Sequence, residues 1–597
     1  MKIGLMVAGI AVVAGGTTAG LVSRAAADGP PTATPIKHVV VIFQENISFD
    51  HYFGSYPNAT NPAGEPAFHA ASNTPTVNNL ESGGLLTNNP NLGNPQRLDR
   101  SEEVTCDQDH DYSNEQLAMD HGVADAFVQN TGASLTRAAC DTKAGTTPPS
   151  GLSPSDYAVM DYYDGNTVTG LWNYAQHFAM SDNSYSTTYG PSTPGALNVI
   201  AGQTYGVQCS QNSGDYSSIA NGDPNVYPSS TPACPGTGIS TTGGNTGTAA
   251  GTGTMISDAD AYYDVCSNKT ATAATGGPNV GTELTSANLS WGWFEGGFQN
   301  QGYVPGTPST STVASSGKCT SKHYNVLAGA ALDGQVCTSG TGCQADYSAH
   351  HEPFQYYQST SNPTHVAPSS IGAIGSNSDG ANHQYDLADF WAAVGAGNMP
   401  AVSYLKAARF QDGHPNNSDP QDEQQFIVST INKLQMSDEW KSTAVVIAYD
   451  DSDGWYDHAM APVVMQSQTP TTPPAGSEAL DQLTANGQCG SNAKRVPMTS
   501  TATPEVGRCG YGMRQPLLVI SPYAKTNFVD HSMTDQSSVV RFIEDNWLSG
   551  ERLGNGAADA FAGTLNNMFD FHSEDDSRTL FLNPVTGQPT SNDDSGG

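Results

Sequence analysis

The distribution of apolar positions along the chain singles out three short runs in which nearly every residue is hydrophobic. Residues 37–46 (KHVVVIFQEN), 442–451 (STAVVIAYDD) and 515–523 (QPLLVISPY) are rich in branched side chains, and each is bounded by polar or turn-forming groups. A strand with one wet face alternates apolar and polar residues. Unbroken runs instead mark strands covered on both faces, so these predict an α/β fold with a central, mostly parallel sheet flanked by helices. Helical periodicity lies between and after them, at 422–435 and 537–547. In open sheets of this class ligands sit at the carboxyl ends of the strands. Two of those ends carry Glu45 with Asn46, and Asp450 with Asp451.

Other stretches read as embellishment. Segments near 205–255 and 466–508 are rich in Gly, Thr or Pro and are expected to be loop-rich insertions, and residues 585–597 to be a flexible tail. At the other end, Lys2, an apolar stretch over 3–13 and the small residues Ala25, Ala26 and Ala27 form a signal-peptide pattern over 1–27. No later segment is apolar enough to predict a transmembrane anchor. Ten cysteines without any Cys-x-x-Cys pair exclude zinc-ribbon and thioredoxin readings and fit disulfides in an exported, oxidising setting. Secretion, to the periplasm or beyond, is therefore expected.

Charge sharpens the picture. The chain has 22 Lys+Arg against 57 Asp+Glu, a net charge of −35, yet only 13% of its residues are charged. Basic residues are missing rather than acidic ones in excess, which rules against nucleic acid as a partner, because phosphate backbones are bound by clustered Lys and Arg. A hydrophobic fraction of 37%, with 25 Tyr, 18 Phe and 7 Trp, supplies a real core.

Glu45, Asn46, Asp450 and Asp451 offer oxygen ligands without thiolates, a set suited to one hard divalent cation such as Ca²⁺, Mg²⁺ or Mn²⁺. An EF-hand reading of Asp451 to Gly454 fails, since its first and twelfth positions would be Tyr449 and Met460. Pro194 followed by Ala196, Leu197 and Val199 reads as the first turns of a helix, with the Ser192 and Thr193 hydroxyls at its start. There the free N–H groups and the dipole favour an alkoxide or a phosphate, although an ordinary N-cap also uses serine. Histidines recur beside carboxylates, at His110, His350 and His351, His414 and His458. Imidazoles near a metal can hold a phosphoryl group or protonate a leaving alcohol.

Taken together, these segments resemble a known family. ENISFDHYFG at 45–54, GPSTP at 190–194, HHEPF at 350–354, YDDSDGWYDH at 449–458 and RQPLLVISPY at 514–523 look like successive blocks of the bacterial phosphoesterase family, which includes acid phosphatases and phospholipases C and belongs to the alkaline phosphatase superfamily. The resemblance spans about residues 36–547 and implies an alkaline-phosphatase-like catalytic domain over 36–550. It implies Ser192 as a covalent nucleophile, a single metal held by Glu45, Asn46, Asp450, Asp451 and the Ser192 oxygen, and His110, His351 and His414 around the phosphoryl group. His351 is preferred to His350 as the histidine nearer the Pro-Phe pair. Two departures, Ile47 for a common Arg and Gly195 for a common Asn, are expected near the substrate path.

These features point to a secreted metal-dependent acid phosphatase acting on small phosphate monoesters, with an acidic optimum. The alternative is a phospholipase C cleaving phospholipid headgroup diesters, for which Trp291, Trp293, Phe294 and Glu295 offer a candidate choline cage or, equally, a piece of core. A third reading, an inactive exported binding protein, keeps only the fold.

Overall fold

In the computed structural model, residues 31–132, 152–210, 239–241, 253–267, 272–306, 319–468, 480–490, 507–572 and 577–590 are described. The expected signal segment, most of both insertions and residues 591–597 lie outside them. Eight strands form the central sheet: β1 (His38–Gln44), β2 (Ala179–Ser181), β3 (Trp291–Glu295), β4 (Gln384–Asp386), β5 (Val402–Lys406), β6 (Thr443–Tyr449), β7 (Leu517–Ile520) and β8 (Phe528–Asp530), in the order β4-β3-β5-β1-β6-β7-β2-β8. All neighbours pair in parallel except β7, which runs against both β6 and β2. The sheet is therefore mostly parallel, as the apolar runs predict. The third run is the exception, since it brings its amino end, not its carboxyl end, to the edge where Glu45 and Asp450 lie.

The centre of the sheet is dry. Val39 to Phe43 of β1 and Ala444 to Tyr449 of β6 are buried, and each fully buried Val, Ile or Phe contributes about 1.5–3 kcal/mol. Strands β1 and β6 pair in register from His38 opposite Thr443 to Gln44 opposite Tyr449. That register sets Glu45 beside Asp450. Strand β5 pairs on the other side of β1 through Ile42 opposite Leu405, and its last residue, Lys406, faces Glu295 of β3. Glu295, Lys406, Glu45 and Asp450 thus end four adjacent parallel strands.

Four helices position the strand ends: α1 (Phe49–Phe53), α2 (Ser192–Ala201), α3 (Pro420–Gln435) and α4 (Ser537–Trp547). Helix α3 has Asp419 as N-cap, accepting from the Gln421 and Asp422 amides, with Pro420 in its first turn and Lys433 in its last. Its Glu423 is buried and accepts from the Tyr52 and Tyr449 hydroxyls at 2.8 and 2.6 Å, tying α1 to the end of β6. Helix α4 turns Val539, Val540, Phe542 and Ile543 inward and packs against α2.

Helix α2 lies directly on the strand end. A Cβ at Gly195 would collide with the Asp450 carbonyl, so glycine is required by close approach. The turn before α2 is fixed by Glu115, which accepts from the Gly190 amide at 2.9 Å and the Ser452 hydroxyl at 2.7 Å. One buried carboxyl therefore holds the approach to Ser192 and the residue after Asp451 together.

A smaller five-stranded sheet, Ile239–Thr241, Gly253–Met255, Tyr205–Ser210, Thr272–Thr275 and Asp260–Ala261, occupies the region of the first expected insertion. Disulfides join Cys266 to Cys319, Cys337 to Cys343 and Cys489 to Cys509. The start of the expected flexible tail is tied down. The Val585 carbonyl accepts from Arg100 and Gln424, and the Gly587 carbonyl accepts from Asn173, because side-chain donors satisfy the backbone there. No helix among the described residues is long and apolar enough to cross a membrane.

Two outcomes are expected. Gly195→Ala forces α2 off the Asp450 carbonyl and destabilises the protein by about 1–3 kcal/mol, and an unchanged thermal midpoint would contradict the close approach. Burial pushes the Glu115 carboxyl from its ordinary value of 4.5 up to about 7, although its two hydrogen bonds pull it down. The native state then holds a proton that the unfolded chain has lost, so this contribution, about 3 kcal/mol at most, is complete below pH 4.5 and disappears as pH rises through about 7. In chelator, Glu115→Gln loses less stability over that interval than the wild type, and parallel losses would refute the assignment.

Candidate active site

The site begins where β1 stops. Asn46 adopts φ 58°, a left-handed conformation that asparagine tolerates better than most residues. This bend lets its amide donate to Asp450 Oδ1 at 3.0 Å and its side-chain nitrogen to Asp453 Oδ1 at 3.1 Å. Asp450 Oδ1 also accepts from the Asp451 amide at 2.7 Å, and Asp451 Oδ1 accepts from the Asp453 amide at 2.7 Å. Each aspartate thus has one oxygen fixed by backbone.

Ser192 opens α2, and its hydroxyl lies 3.0 Å from Asp451 Oδ2 and 3.4 Å from Glu45 Oε2. Glu45, Asn46, Ser192, Asp450 and Asp451 are all buried, so the five predicted metal-site residues meet in one place. Burial and Asp450 push the Glu45 carboxyl well up, with Lys406 opposing, and burial and Asp450 do the same to Asp451.

The three predicted histidines adjoin this cluster. His351 Nδ1 lies 3.1 Å from Glu45 Oε1. His110 donates Nδ1–H to the Gln108 carbonyl at 2.9 Å, and the same nitrogen lies 3.4 Å from Asp453 Oδ1. His414 donates Nδ1–H to the Pro415 carbonyl at 2.7 Å, while its amide donates to Asp412 Oδ1. The Asp412 carbonyl in turn accepts from the Glu45 amide. His110 and His414 are tied through Nδ1 to backbone carbonyls, which assigns their tautomers, whereas His351 Nδ1 approaches Glu45 Oε1 without a hydrogen bond.

The rings differ in charge. Burial lowers an imidazole pKa, but Asp451, Asp453, Asp107 and Asp258 outweigh it at His110 and hold that ring well above its ordinary value. Burial, then His350 and Lys406, keep His351 well below. His414 is lowered, chiefly by burial. His350 instead contacts Ser348 Oγ at 3.1 Å and Asp260 at 3.4 Å, one ring away from the cluster.

Several residues were invisible in the sequence. Lys406 is buried against Glu45 and lies 3.7 Å from Asp450 Oδ2, where sequence reasoning expected no basic group. Asp412 is buried with Oδ2 unpartnered, and burial raises its carboxyl to about 7. The charge of Arg409 acts on His351, Asp412 and His414. A strand ending in lysine and a DGH turn were the available signals, but neither says what it faces.

Other expectations are corrected. Trp291, Trp293 and Phe294 are fully buried. Trp293 stacks on Tyr404 and donates to Glu295, so these rings are core and form no open choline cage. His458 belongs to a separate clamp in which it and Arg514 both bind Asp50, and Arg514 also binds Asp457. Ile47 packs in the core with its amide on the Asp451 carbonyl, and Gly195 faces backbone.

The donor set fits a hard divalent cation. Asn46 Oδ1 is buried without a hydrogen-bond partner, and Glu45 Oε2 and Asp451 Oδ2 converge on the Ser192 hydroxyl. An orphaned oxygen beside crowded carboxylates is what such a site leaves when its positive charge is not counted.

Over 189 residues the chain is 30% identical to the non-hemolytic phospholipase C of Burkholderia pseudomallei, covering 30% of this chain and 24% of that one. It is 28% identical over 181 residues to the hemolytic phospholipase C of Pseudomonas aeruginosa, covering 30% and 22%. With phospholipase C A of Mycobacterium tuberculosis it shares 26% identity over 204 residues, covering 33% and 35%. The chain thus spans only about a quarter to a third of the length of these relatives. The model of the phosphoesterase family, by contrast, matches residues 36–548, and the chain belongs to that family.

Proposed function

We propose that the protein is an exported phosphoric ester hydrolase with an alkaline-phosphatase-like catalytic domain, acting on phosphate monoesters through a phosphoserine at Ser192. The observation that carries this reading is the Ser192 hydroxyl at the start of α2, 3.0 Å from Asp451 and 3.4 Å from Glu45. A divalent cation held by Glu45, Asn46, Asp450, Asp451 and the Ser192 oxygen would supply Lewis acidity, lowering the hydroxyl pKa and neutralising phosphate oxygens.

The chain's own groups account for the rest. The positive end of the α2 dipole favours charge on the Ser192 oxygen, although the Thr193 amide is taken by Asp258 Oδ1 at 3.0 Å and Pro194 has no N–H to give. Ser192 Oγ passes its proton to Asp451 Oδ2, 3.0 Å away, as it attacks phosphorus, and the bond from phosphorus to the leaving oxygen breaks. That oxygen takes a proton from Nε2 of His110, the ring of the three whose proton affinity the surrounding carboxylates raise against burial. Water then attacks the phosphoserine and gives a proton to His110, phosphate is released, and the departing Ser192 oxygen recovers its proton from Asp451. His351, neutral and beside Glu45, packs against that carboxylate. His414 lies across Asp412 from Glu45 and offers a second open Nε2.

Phosphodiester cleavage of the phospholipase C type is the second reading, favoured by the names of the relatives. The same machinery serves it, but the aromatic residues of β3 that could have caged a choline group are core. That favours the monoester.

The net charge of −35 repels anionic substrates at neutral pH and is relieved as carboxylates protonate. Turnover of p-nitrophenyl phosphate is therefore expected to peak on the acid side. It should fall at least about a thousandfold in Ser192→Ala and be abolished by chelation, with p-nitrophenylphosphorylcholine a poor substrate. Preference for the diester would establish the second reading, and a rate maximum above about pH 8 would contradict the charge argument. A fully active Ser192→Ala would return the inactive binding protein to contention, with any measured activity belonging to another site.

A further inference from the structure

Lys406 is the least expected residue in the site. In a chain with 22 basic residues, one ammonium is buried at the end of β5, paired with Glu45 and 3.7 Å from Asp450. Its stem passes Phe43, with Nζ 5.2 Å from the ring centroid. Isolating a cation there is costly unless it is matched by opposite charge.

Glu45 Oε1 faces both Lys406 and, at 3.1 Å, His351 Nδ1. Lys406 takes Glu45 Oε1 and approaches Asp450 Oδ2, while Glu45 Oε2 is the oxygen beside Ser192 and Asp450 Oδ1 is held by the Asn46 and Asp451 amides. Glu295, opposite Lys406 on β3, is not its partner, since its oxygens accept from the Trp293 indole and the Ser348 amide. The ammonium is therefore directed at the two carboxylates from the sheet side.

We propose that Lys406 is a positioning residue that braces Glu45 and Asp450 and supplies one of the positive charges this carboxylate cluster requires, so that a single divalent cation completes it. This inference rests on the proposed metal site. Glu45, Asp450 and Asp451 bring three negative charges when ionised. One ammonium and one divalent cation balance them, and the ammonium opposes the arriving cation at short range. Lys406 thus lets the site stay folded without metal at the expense of metal affinity.

The test is a Mn²⁺ titration of the metal-stripped full chain, reading free Mn²⁺ by electron paramagnetic resonance, for the wild type, Lys406→Met and Lys406→Arg. The wild type takes up a single equivalent. Lys406→Met, likewise unbranched but one atom shorter and uncharged, binds Mn²⁺ at least about tenfold more tightly. Its metal-free form melts lower than the wild type and gains more from Mn²⁺. Lys406→Arg keeps the charge and stays within about threefold of the wild type. If Lys406→Met does not fold without metal, refolding in saturating Mn²⁺ restores its circular dichroism, and failure to recover overturns the brace. Equal or weaker Mn²⁺ affinity in folded Lys406→Met overturns the brace while leaving the metal site intact. A wild type that takes up no Mn²⁺ overturns both.

Discussion

Gathering several buried carboxylates at the end of one sheet is the constraint on which the rest of the structure depends. Like charges in a dry site repel, and each must be held by donors or matched by cations. The in-register pairing of β1 with β6 sets Glu45 beside Asp450, and the left-handed bend at Asn46 turns backbone and side-chain N–H groups onto Asp450 and Asp453. Lys406 arrives from β5, and Ser192 comes down on α2, whose Gly195 has no room for a side chain above the Asp450 carbonyl. Glu115 then joins the turn before Ser192 to Ser452. The arrangement is rigid because each support also belongs to the core.

This geometry explains how a phosphoesterase can be so poor in basic residues. Anion recognition here does not need a field of Lys and Arg over the surface. It needs positive character at one point, which in the proposed site a divalent cation and the α2 helix start would supply. The three histidines lie beside one cluster, but their surroundings differ. Carboxylates around His110 outweigh burial and raise its proton affinity, whereas burial, then His350 and Lys406, lower that of His351. Similar side chains are thus given different tasks by their neighbours.

Much of this was legible in the sequence because it is local. Unbroken runs at β1 and β6 announce buried parallel strands, and the polar pairs after them fall at the carboxyl edge where such sheets place their sites. The start of α2 is written in the proline and glycines around Ser192. What was hidden depends on long-range pairing. Nothing within VSYLK says that Lys406 will face Glu45, since that comes from the register of β5 on β1. The reversal of β7 is likewise invisible in QPLLVISPY, because an apolar strand reads the same in either direction. The tryptophans of β3 misled for a related reason: an aromatic cluster looks alike as core or as cage until its burial is known.

The central claim is that Ser192 carries the phosphoryl group during turnover. The most direct measurement is acid quenching of the enzyme during steady turnover of a phosphate monoester, with peptide mass spectrometry of the quenched protein. The expected result is the added mass of one phosphoryl group on Ser192, rising with substrate and absent when substrate is withheld. Turnover with an unmodified Ser192, or with the phosphoryl group on another residue, would contradict it.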